Sequence, residues 1–418
     1  MSSFKLISWS NNFEKNVEVH LSTNYPTTIN FGNQNSYSDC FLPLSNIALS
    51  NKDLTKKFQI NKVNSNQKLS DFVSSSGTFL YGIPGKSNVT IAGALAADTH
   101  GKDNTWGGSF SKNVKSIELI TANNKLIKCD ENKNADIFET TIGGYGLTGT
   151  INKIFLKKNN IPSSNIMNKK IEKNFGINTL LNSFEDKEFQ YWVGWINLLS
   201  GKYEWVVEKS NFVTNTEDQD LNFEYNEFKK LYFSYFGKNK FKLMSFVNFL
   251  YFATSKNNKK KEVLFSDSFF PISKITDTRN LSPKRKIIQV QFSIPKKNEG
   301  FLEELIEKLI FKQIPLLCSI KRITGQTLKN NFSFMQDGWT VAVDFSQSYF
   351  DMQSYNNFLK ELIGLEGKIY LAKDVLLTEN QFKTMYPDFK IWEDIVKKID
   401  PYNKFQSLLS KRLGLKKW

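Results

Sequence analysis

The chain contains few of the side chains that hold structural metals or build disulfide frameworks. Its 418 residues include only three cysteines and two histidines. The cysteines stand at positions 40, 129 and 318, without the CxxC spacing that is typical of a zinc site. The sequence therefore argues against a disulfide scaffold and a structural zinc site, and we expect no metal.

Long hydrophobic runs are also missing. The most apolar window, LMSFVNFLYFATS at 243–255, is shorter than the ~20 residues that a helix needs to span a bilayer. The first residues, MSSFKLISWSNNFEKN, lack the apolar core of a signal peptide. We therefore expect a soluble, cytoplasmic protein, with at most peripheral contact at the inner face of the membrane.

Positive charge and aromatic residues, by contrast, are abundant. The formal net charge is +15, and 36 residues are phenylalanine. Such a charge is compatible with an anionic membrane, a phosphorylated ligand or nucleic acid. The chain shows neither an RNA-binding aromatic pattern nor a long basic helix, so we expect no nucleic-acid partner. The aromatic, lysine-flanked segment 231–261 is compatible with membrane contact, and also with a packed helix followed by a charged loop.

Strand and helix signals alternate in both halves of the chain. Residues 114–130 predict a β-hairpin, and residues 190–207 predict a second pair of strands. Residues 299–313 have the helical period, and Thr378 with Gln381 predicts a capping box ahead of C-terminal helices. This mixture favours an α+β protein of two domains.

Small residues dominate three loops in the first part of the chain. The loops have the sequences NFGNQNSYSD (30–39), GIPGKSNVTIAGALAADTHG (82–101) and IGGYGLTGTI (142–151). Each alone is compatible with a tight turn between strands. Together they would let the backbone approach a large flat ligand, with N–H groups available to a pyrophosphate. His100 stands at the end of the second loop.

The order of these loops resembles the flavin-binding domain of the vanillyl-alcohol-oxidase superfamily, and within it the decaprenylphosphoryl-ribose oxidase family, the flavin subunits of an epimerase. The segments PGKSNVTIAGALAADTHGKD (84–103) and GSFSKNVKSIELITA (108–122) are similar to motifs of that family. Later strands, a YLAKD turn and the C-terminal helices are similar as well, so the resemblance covers nearly the whole chain. Where the family has G-x-G-R-S-Y-G-D, this chain has GNQNSYSD, with Gln34 and Ser38 in place of glycines.

The resemblance implies a two-domain, vanillyl-alcohol-oxidase-type FAD-binding fold of the α+β class, with an inserted substrate domain built on an antiparallel sheet. Residues 1–160 would begin the FAD-binding domain, 161–368 would form the substrate domain, and 369–418 would complete the first domain. FAD would bind non-covalently, because the loop that carries a tethering histidine in some relatives has none here. The positions that the resemblance places against FAD are Gly32, Asn35, Ser36, Tyr37, Pro84, Gly85, Lys86, Val89, Gly93, Ala96, Ala97, Thr99, Gly101, Ser109, Gly146, Gly149, Ile151 and Tyr370.

The chemistry implied by the resemblance is hydride transfer from a carbinol carbon to the flavin, with a protein base for the hydroxyl proton. Lys373 and His100 fall at catalytic positions, and we expect Lys373 to act as the base or as a charge stabiliser. Lys321 could meet a substrate phosphate. The positions that line the family's substrate pocket are Tyr37, Lys102, Trp195, Gln289, Gln291, Lys321 and Thr340.

The function implied is FAD-dependent oxidation of a secondary alcohol on a sugar, which in the family is a polyprenyl-phosphoryl pentose or a related glycan precursor. This would be the first half of a 2′-epimerisation that a separate short-chain reductase completes. Two further hypotheses stay open. One is an aldonolactone oxidase, although such relatives usually have a histidine in a C-terminal sugar-site motif, and this chain has histidine only at positions 20 and 100. The other is a flavin-less basic binding protein on the same fold.

Overall fold

Three β-sheets organise the described part of the chain. The structure is a computed structural model and describes residues 3–21, 28–45, 47–50, 62–76, 78–157, 159, 166–213, 240–270 and 286–418. The strands of the first sheet, in spatial order, are β1 (Ser3–Ile7), β2 (Glu14–Leu21) and β3 (Ile47–Ser50). β1 and β2 pair antiparallel, whereas β2 and β3 are parallel.

The second sheet contains the predicted hairpin. Its strands are β4 (Lys62–Asn64), β5 (Val114–Ile120), β6 (Leu126–Asp130) and β7 (Thr150–Leu156), in the spatial order β4-β7-β5-β6. β5 and β6 pair antiparallel around a turn where Asn124 has a φ of +62°, a left-handed conformation that asparagine tolerates. The hairpin prediction is therefore confirmed. The helices around this sheet are α1 (Leu69–Ser76), α2 (Ile91–Ala96), α3 (Asn104–Gly107) and α4 (Ala135–Thr141).

The third sheet has eight strands, and every neighbouring pair is antiparallel. They are β8 (Ile166–Phe175), β9 (Tyr191–Asn197), β10 (Glu204–Phe212), β11 (Lys260–Leu264), β12 (Ile287–Pro295), β13 (Pro315–Ile323), β14 (Gly338–Ser346) and β15 (Lys368–Ile369). Their spatial order is β11-β8-β10-β9-β13-β14-β12-β15. This large antiparallel sheet among helices makes the fold α+β, as predicted. The domain boundaries near 160 and 368 stay a prediction.

Several helices accompany the eight-stranded sheet, and two of them cover one of its faces. The helices of this region are α5 (Ile177–Ser183), α6 (Lys240–Thr254), α7 (Phe265–Phe269), α8 (Leu302–Ile310) and α9 (Met352–Gly364). Leu305 of α8 and Phe358 of α9 share a buried cluster with Ile320 and Val341 of the sheet. Because side chains alternate along a strand, the residues next to Ile320 and Val341 point to the opposite face.

The C-terminal part is helical, with α10 (Glu379–Met385), α11 (Phe389–Ile399) and α12 (Leu408–Arg412). The predicted capping box is confirmed, since Gln381 N–H donates to Thr378 Oγ1 at 3.4 Å and Thr378 N–H donates to Gln381 Oε1 at 2.9 Å. The sequence pattern over 355–374 predicts a helix, a glycine stop and a strand that continues through YLAKD, and this strand is shorter than expected. It ends at Ile369, because the N–H groups of Lys373 and Asp374 both donate to Tyr370 O and form a turn.

Two predicted features fall largely outside the described residues. They are the linker at 157–165, and positions 231–239 of the aromatic segment. The rest of that segment contains α6, a short connection and the start of β11. Within the described ranges, no helix combines the length and the hydrophobicity needed to cross a bilayer.

Candidate active site

A cavity of about 710 Å³ lies between the glycine loops, α2 and the free face of the eight-stranded sheet. Its size is within the usual range for ligand and cofactor sites. The predicted catalytic and substrate positions that line it are Tyr37, His100, Lys102, Trp195, Gln289, Gln291, Lys321, Thr340 and Lys373. The predicted cofactor positions that also line it are Gly32, Asn35, Ser36, Pro84, Gly85, Lys86, Val89, Gly93, Ala96, Ala97, Thr99, Gly146, Gly149, Ile151 and Tyr370.

Two predicted cofactor positions, Gly101 and Ser109, do not line the cavity. A Cβ at Gly101 would lie 2.6 Å from the carbonyl oxygen of Ile83, so a glycine there permits close packing of two backbone segments. Ser109 is fully buried and its Oγ donates to Thr327 Oγ1 at 2.8 Å. Both residues pack behind the cavity wall, so neither is in a position to contact a ligand in the cavity.

Small residues form one end of the cavity, where α2 begins. The Thr90 hydroxyl caps the helix by accepting the N–H of Gly93 at 3.2 Å. A Cβ at Gly32 or Gly93 would lie 2.6 or 2.8 Å from that hydroxyl, so the loops close around Thr90 only with glycine at both positions. Asn30 and Asn35 present side-chain oxygens that are buried without a hydrogen-bond partner in the described structure. Small residues beside unsatisfied polar atoms fit a dinucleotide lying against the backbone.

The first loop keeps a left-handed backbone although it lacks the family's second glycine. Gln34 has a φ of +54°, a conformation that costs a residue with a Cβ about 1 kcal/mol. Its side chain compensates, because Ile7 N–H donates to Gln34 Oε1 at 2.7 Å.

We expect Gln34→Ala to lower the free energy of unfolding by about 1 kcal/mol, because it removes this hydrogen bond and keeps the backbone strain. Gln34→Gly removes the same hydrogen bond but relieves the strain, and should be close to neutral. Urea denaturation of the two variants measures the difference. Equal losses in both variants would contradict the assignment of strain to this position.

The other end of the cavity is the free face of the sheet. Neighbouring strands place polar side chains side by side, with Lys321 of β13 opposite Thr340 of β14, and Gln289 of β12 opposite Asp344 of β14. Gln289 Nε2 donates to Asp344 Oδ1 at 2.5 Å. Because side chains alternate along each strand, polar residues face the cavity and apolar residues pack on the opposite face of the sheet.

His100 is neutral and its orientation is set by the sheet. The Gln291 side-chain amide donates to Thr340 Oγ1 at 3.1 Å and lies 2.9 Å from His100 Nε2. When Nε2 accepts from this amide, the ring proton is on Nδ1, which is buried and has no hydrogen-bond partner among the described residues. Burial, with Lys321 and Lys373 nearby, lowers the pKa of His100 well below its usual range. His100 can therefore donate a hydrogen bond to a ligand across the whole neutral range.

Lys373 is held in the turn after β15. Its Nζ lies 3.8 Å from the centre of the Tyr37 ring. Burial lowers its pKa to about 8, with Asp344 opposing this effect and Lys321 adding to it. With a pKa near 8, about a tenth of Lys373 is an uncharged amine at pH 7, and this form can accept a proton.

Two further lysines, the buried Lys102 and the half-buried Lys321, surround the site. Burial lowers the pKa of Lys321 and that of Lys102 to about 8. Lys102 Nζ donates to Ser268 O at 2.6 Å and lies 3.7 Å from the Glu208 carboxylate. Lys102 is thus tied to the protein, whereas Lys321 projects from β13 into the cavity. Of the two, Lys321 is the better candidate for an anionic group of a ligand.

Arg412 of α12 fastens two segments of the site. Its guanidinium binds Asp39 through two nitrogens, at 3.1 and 3.0 Å, and Asp374 at 2.7 Å. Both carboxylates are almost fully buried. Asp39 follows Tyr37 by two residues, and Asp374 follows Lys373 directly. The ion cluster therefore fixes the position of Lys373 relative to the Tyr37 ring.

Comparison with known proteins finds relatives among oxidoreductases. The chain is 23% identical to decaprenylphosphoryl-beta-D-ribose oxidase of Mycolicibacterium smegmatis over 347 residues, which cover 80% of this chain and 75% of that protein. This chain is similar in sequence to decaprenylphosphoryl-beta-D-ribose oxidase. Cytokinin dehydrogenase 9 of Oryza sativa subsp. japonica is 29% identical over 114 residues, which cover 23% of this chain and 22% of that protein. No family model matches the chain. The resemblance seen in the sequence is confirmed, and the relatives' names support an oxidoreductase.

Several residues of the site lie outside the family motifs and were missed. They are Trp9, Asn30, Glu208, Asn248, Tyr251 and Ser319. For two of them the sequence contained a signal. Side chains alternate along a strand, so Glu208 lies on the same sheet face as Val206, and Ser319 on the same face as Lys321. Trp9 and the residues of α6 had none, since their approach to the cavity depends on tertiary packing.

Proposed function

We propose that this protein oxidises a secondary alcohol of a sugar, with FAD as a non-covalently bound cofactor. One observation carries the proposal: glycine loops suited to a dinucleotide, His100 and Lys373 all line one cavity. Bound FAD would supply the acceptor for one hydride, which carries both electrons of the oxidation. The glycine loops and Asn30 and Asn35 would hold it, and the face of the sheet would hold the alcohol.

Lys373, His100 and Lys321 have different roles in the removal of the hydroxyl proton. The uncharged amine of Lys373 accepts that proton as the carbinol C–H bond breaks, which leaves a ketone. His100 donates from Nδ1 to an oxygen of the sugar, in an orientation fixed by Gln291. Lys321 stabilises the negative charge of a substrate phosphate, or the charge that develops on the alcohol oxygen as its proton leaves. The electrons leave afterwards to an acceptor of unassigned identity.

We further propose that the sugar is carried on a phosphorylated anchor, such as a polyprenyl phosphate. Support comes from Lys321, from the name of the mycobacterial relative and from the apolar side chains of the sheet and α6 that line the cavity. These are Val193, Trp195, Val206, Val247 and Leu317. A ketone product would suit a separate short-chain reductase, which would complete an epimerisation.

Flavin bleaching under anaerobic conditions tests this proposal. The purified protein should be yellow, and its visible flavin band should disappear on addition of a polyprenyl-phosphoryl pentose. Nucleotide-linked and free pentoses, added in parallel, report how much the anchor contributes. A colourless protein that FAD cannot reconstitute would overturn the proposal and favour a binding protein. A yellow protein bleached by none of the sugar alcohols would retain the cofactor assignment and refute the substrate.

A further inference from the structure

Helix α6 has two apolar sides, and only one of them is covered by the described structure. Val247, Asn248 and Tyr251 point inward and line the cavity. Tyr251 packs edge-on against Trp195, with ring centres 4.9 Å apart. The end of the helix is fastened by Lys173, whose Nζ donates to Phe252 O at 2.9 Å. The helix thus forms an outer wall of the cavity.

The outward side is a continuous apolar stripe. Phe246, Phe249 and Leu250 are 55%, 56% and 40% exposed, and Ala253 is exposed as well. Their spacing of i, i+3, i+4 and i+7 is the pattern that ordinarily faces a protein core. A contiguous exposed apolar patch of this kind is typical of a surface that binds another protein or a membrane.

Positive charge adjoins the stripe. The residues that follow α6 include the exposed lysines Lys256, Lys259, Lys260 and Lys261. Lys260 lies 3.7 Å from Glu188, an ion pair between exposed groups that is weak in water. Apolar side chains flanked by lysines match an anionic bilayer, in which the rings enter the interface and the ammonium groups meet the head groups.

We propose that α6 docks this protein on an anionic lipid surface through Phe246, Phe249 and Leu250, with the following lysines against the head groups. The same helix would then have the bilayer on one side and the cavity on the other. A substrate anchored in lipid could enter along α6 with little exposure of its apolar chain to water. This last step rests on the proposed function, whereas the docking itself does not.

Vesicle co-sedimentation tests the docking without any turnover. The protein should bind vesicles that contain phosphatidylglycerol and bind pure phosphatidylcholine vesicles more weakly. Phe246→Glu with Phe249→Glu should weaken binding about tenfold or more, because two charges replace the inserted rings. Replacing Lys256, Lys259 and Lys261 by glutamine should weaken it roughly fivefold per lysine. The matched control is Phe301→Glu with Phe311→Glu, since these exposed phenylalanines flank α8 on the other face of the sheet.

The outcomes separate the docking from the oxidation. Circular dichroism and flavin content unchanged in the α6 variant would show that the fold and the cofactor site survive. Binding lost in that variant and kept in the control supports the proposal. The proposal is overturned if the parent does not bind anionic vesicles, or if both double variants lose binding to the same extent. It is also overturned if light scattering shows a dimer of the parent that the α6 substitutions dissociate. The last result would assign the stripe to a second copy of the chain.

Discussion

Lys373→Ala should reduce the rate of flavin bleaching by the sugar alcohol by about 10²–10⁴-fold, the usual contribution of a general base. The structure supports a base because burial lowers the pKa of Lys373 to about 8 and leaves a fraction of the amine uncharged. FAD binding should change little, since the dinucleotide end of the cavity is formed by the glycine loops. Stopped-flow bleaching gives the rate, and the visible spectrum gives the flavin content.

The dependence on pH distinguishes the two roles that this lysine could play. Only the uncharged amine accepts a proton, so the bleaching rate should rise with pH and level off above an apparent pKa near 8. Lys373→Arg keeps the positive charge and cannot act as a base in this range. If the arginine variant retains the parent's rate and shows no such rise, Lys373 stabilises charge and another group removes the proton.

Arg412→Ala should lower the free energy of unfolding by about 3–5 kcal/mol, because it leaves two buried carboxylates without their counter-ion. The Asp39 and Asp374 side chains are 2% and 1% exposed, so in the parent the guanidinium and not water compensates their charge. Urea denaturation measures the loss. The variant should also bleach more slowly, since the segments that carry Tyr37 and Lys373 lose their common anchor.

A charge-neutral version of the same cluster provides the control. Arg412→Met combined with Asp39→Asn and Asp374→Asn removes all three charges and should recover a large part of the stability. If Arg412→Ala costs less than about 1 kcal/mol, the cluster behaves like an exposed ion pair and the burial argument fails. Recovery of stability without recovery of bleaching would identify Arg412 as a positioning residue for Lys373.

Local signals in the sequence were sufficient for the hairpin over 114–130, the capping box of Thr378 and the glycine loops. Each depends on residues within a few positions of one another, and the structure places all three loops at one cavity. The shortened strand β15 shows the limit of such signals. Its apolar residues predicted a longer strand, and the turn at Tyr370 prevailed because two N–H groups share its carbonyl.

Contacts between distant segments could not be predicted from local pattern. Arg412 and Asp39 are separated by 373 positions, and no spacing rule joins them. The exposure of the α6 stripe is a similar case, because its period predicts a buried face and only the tertiary arrangement leaves it open. The site residues taken from the family resemblance lie together in the cavity with two exceptions, and their roles stay predictions.

The distribution of thiols around the cavity has a consequence for inhibitors. Ala342 stands on the substrate wall, and Cys40 is the one cysteine among the residues that line the cavity. Cys40 donates a hydrogen bond to Ser36 Oγ at 3.2 Å, and burial raises its pKa, so its sulphur is held as the unreactive thiol. An electrophile seated over the sheet would find no nucleophilic sulphur within reach. Compounds that depend on forming a bond to a thiol should therefore not label this cavity.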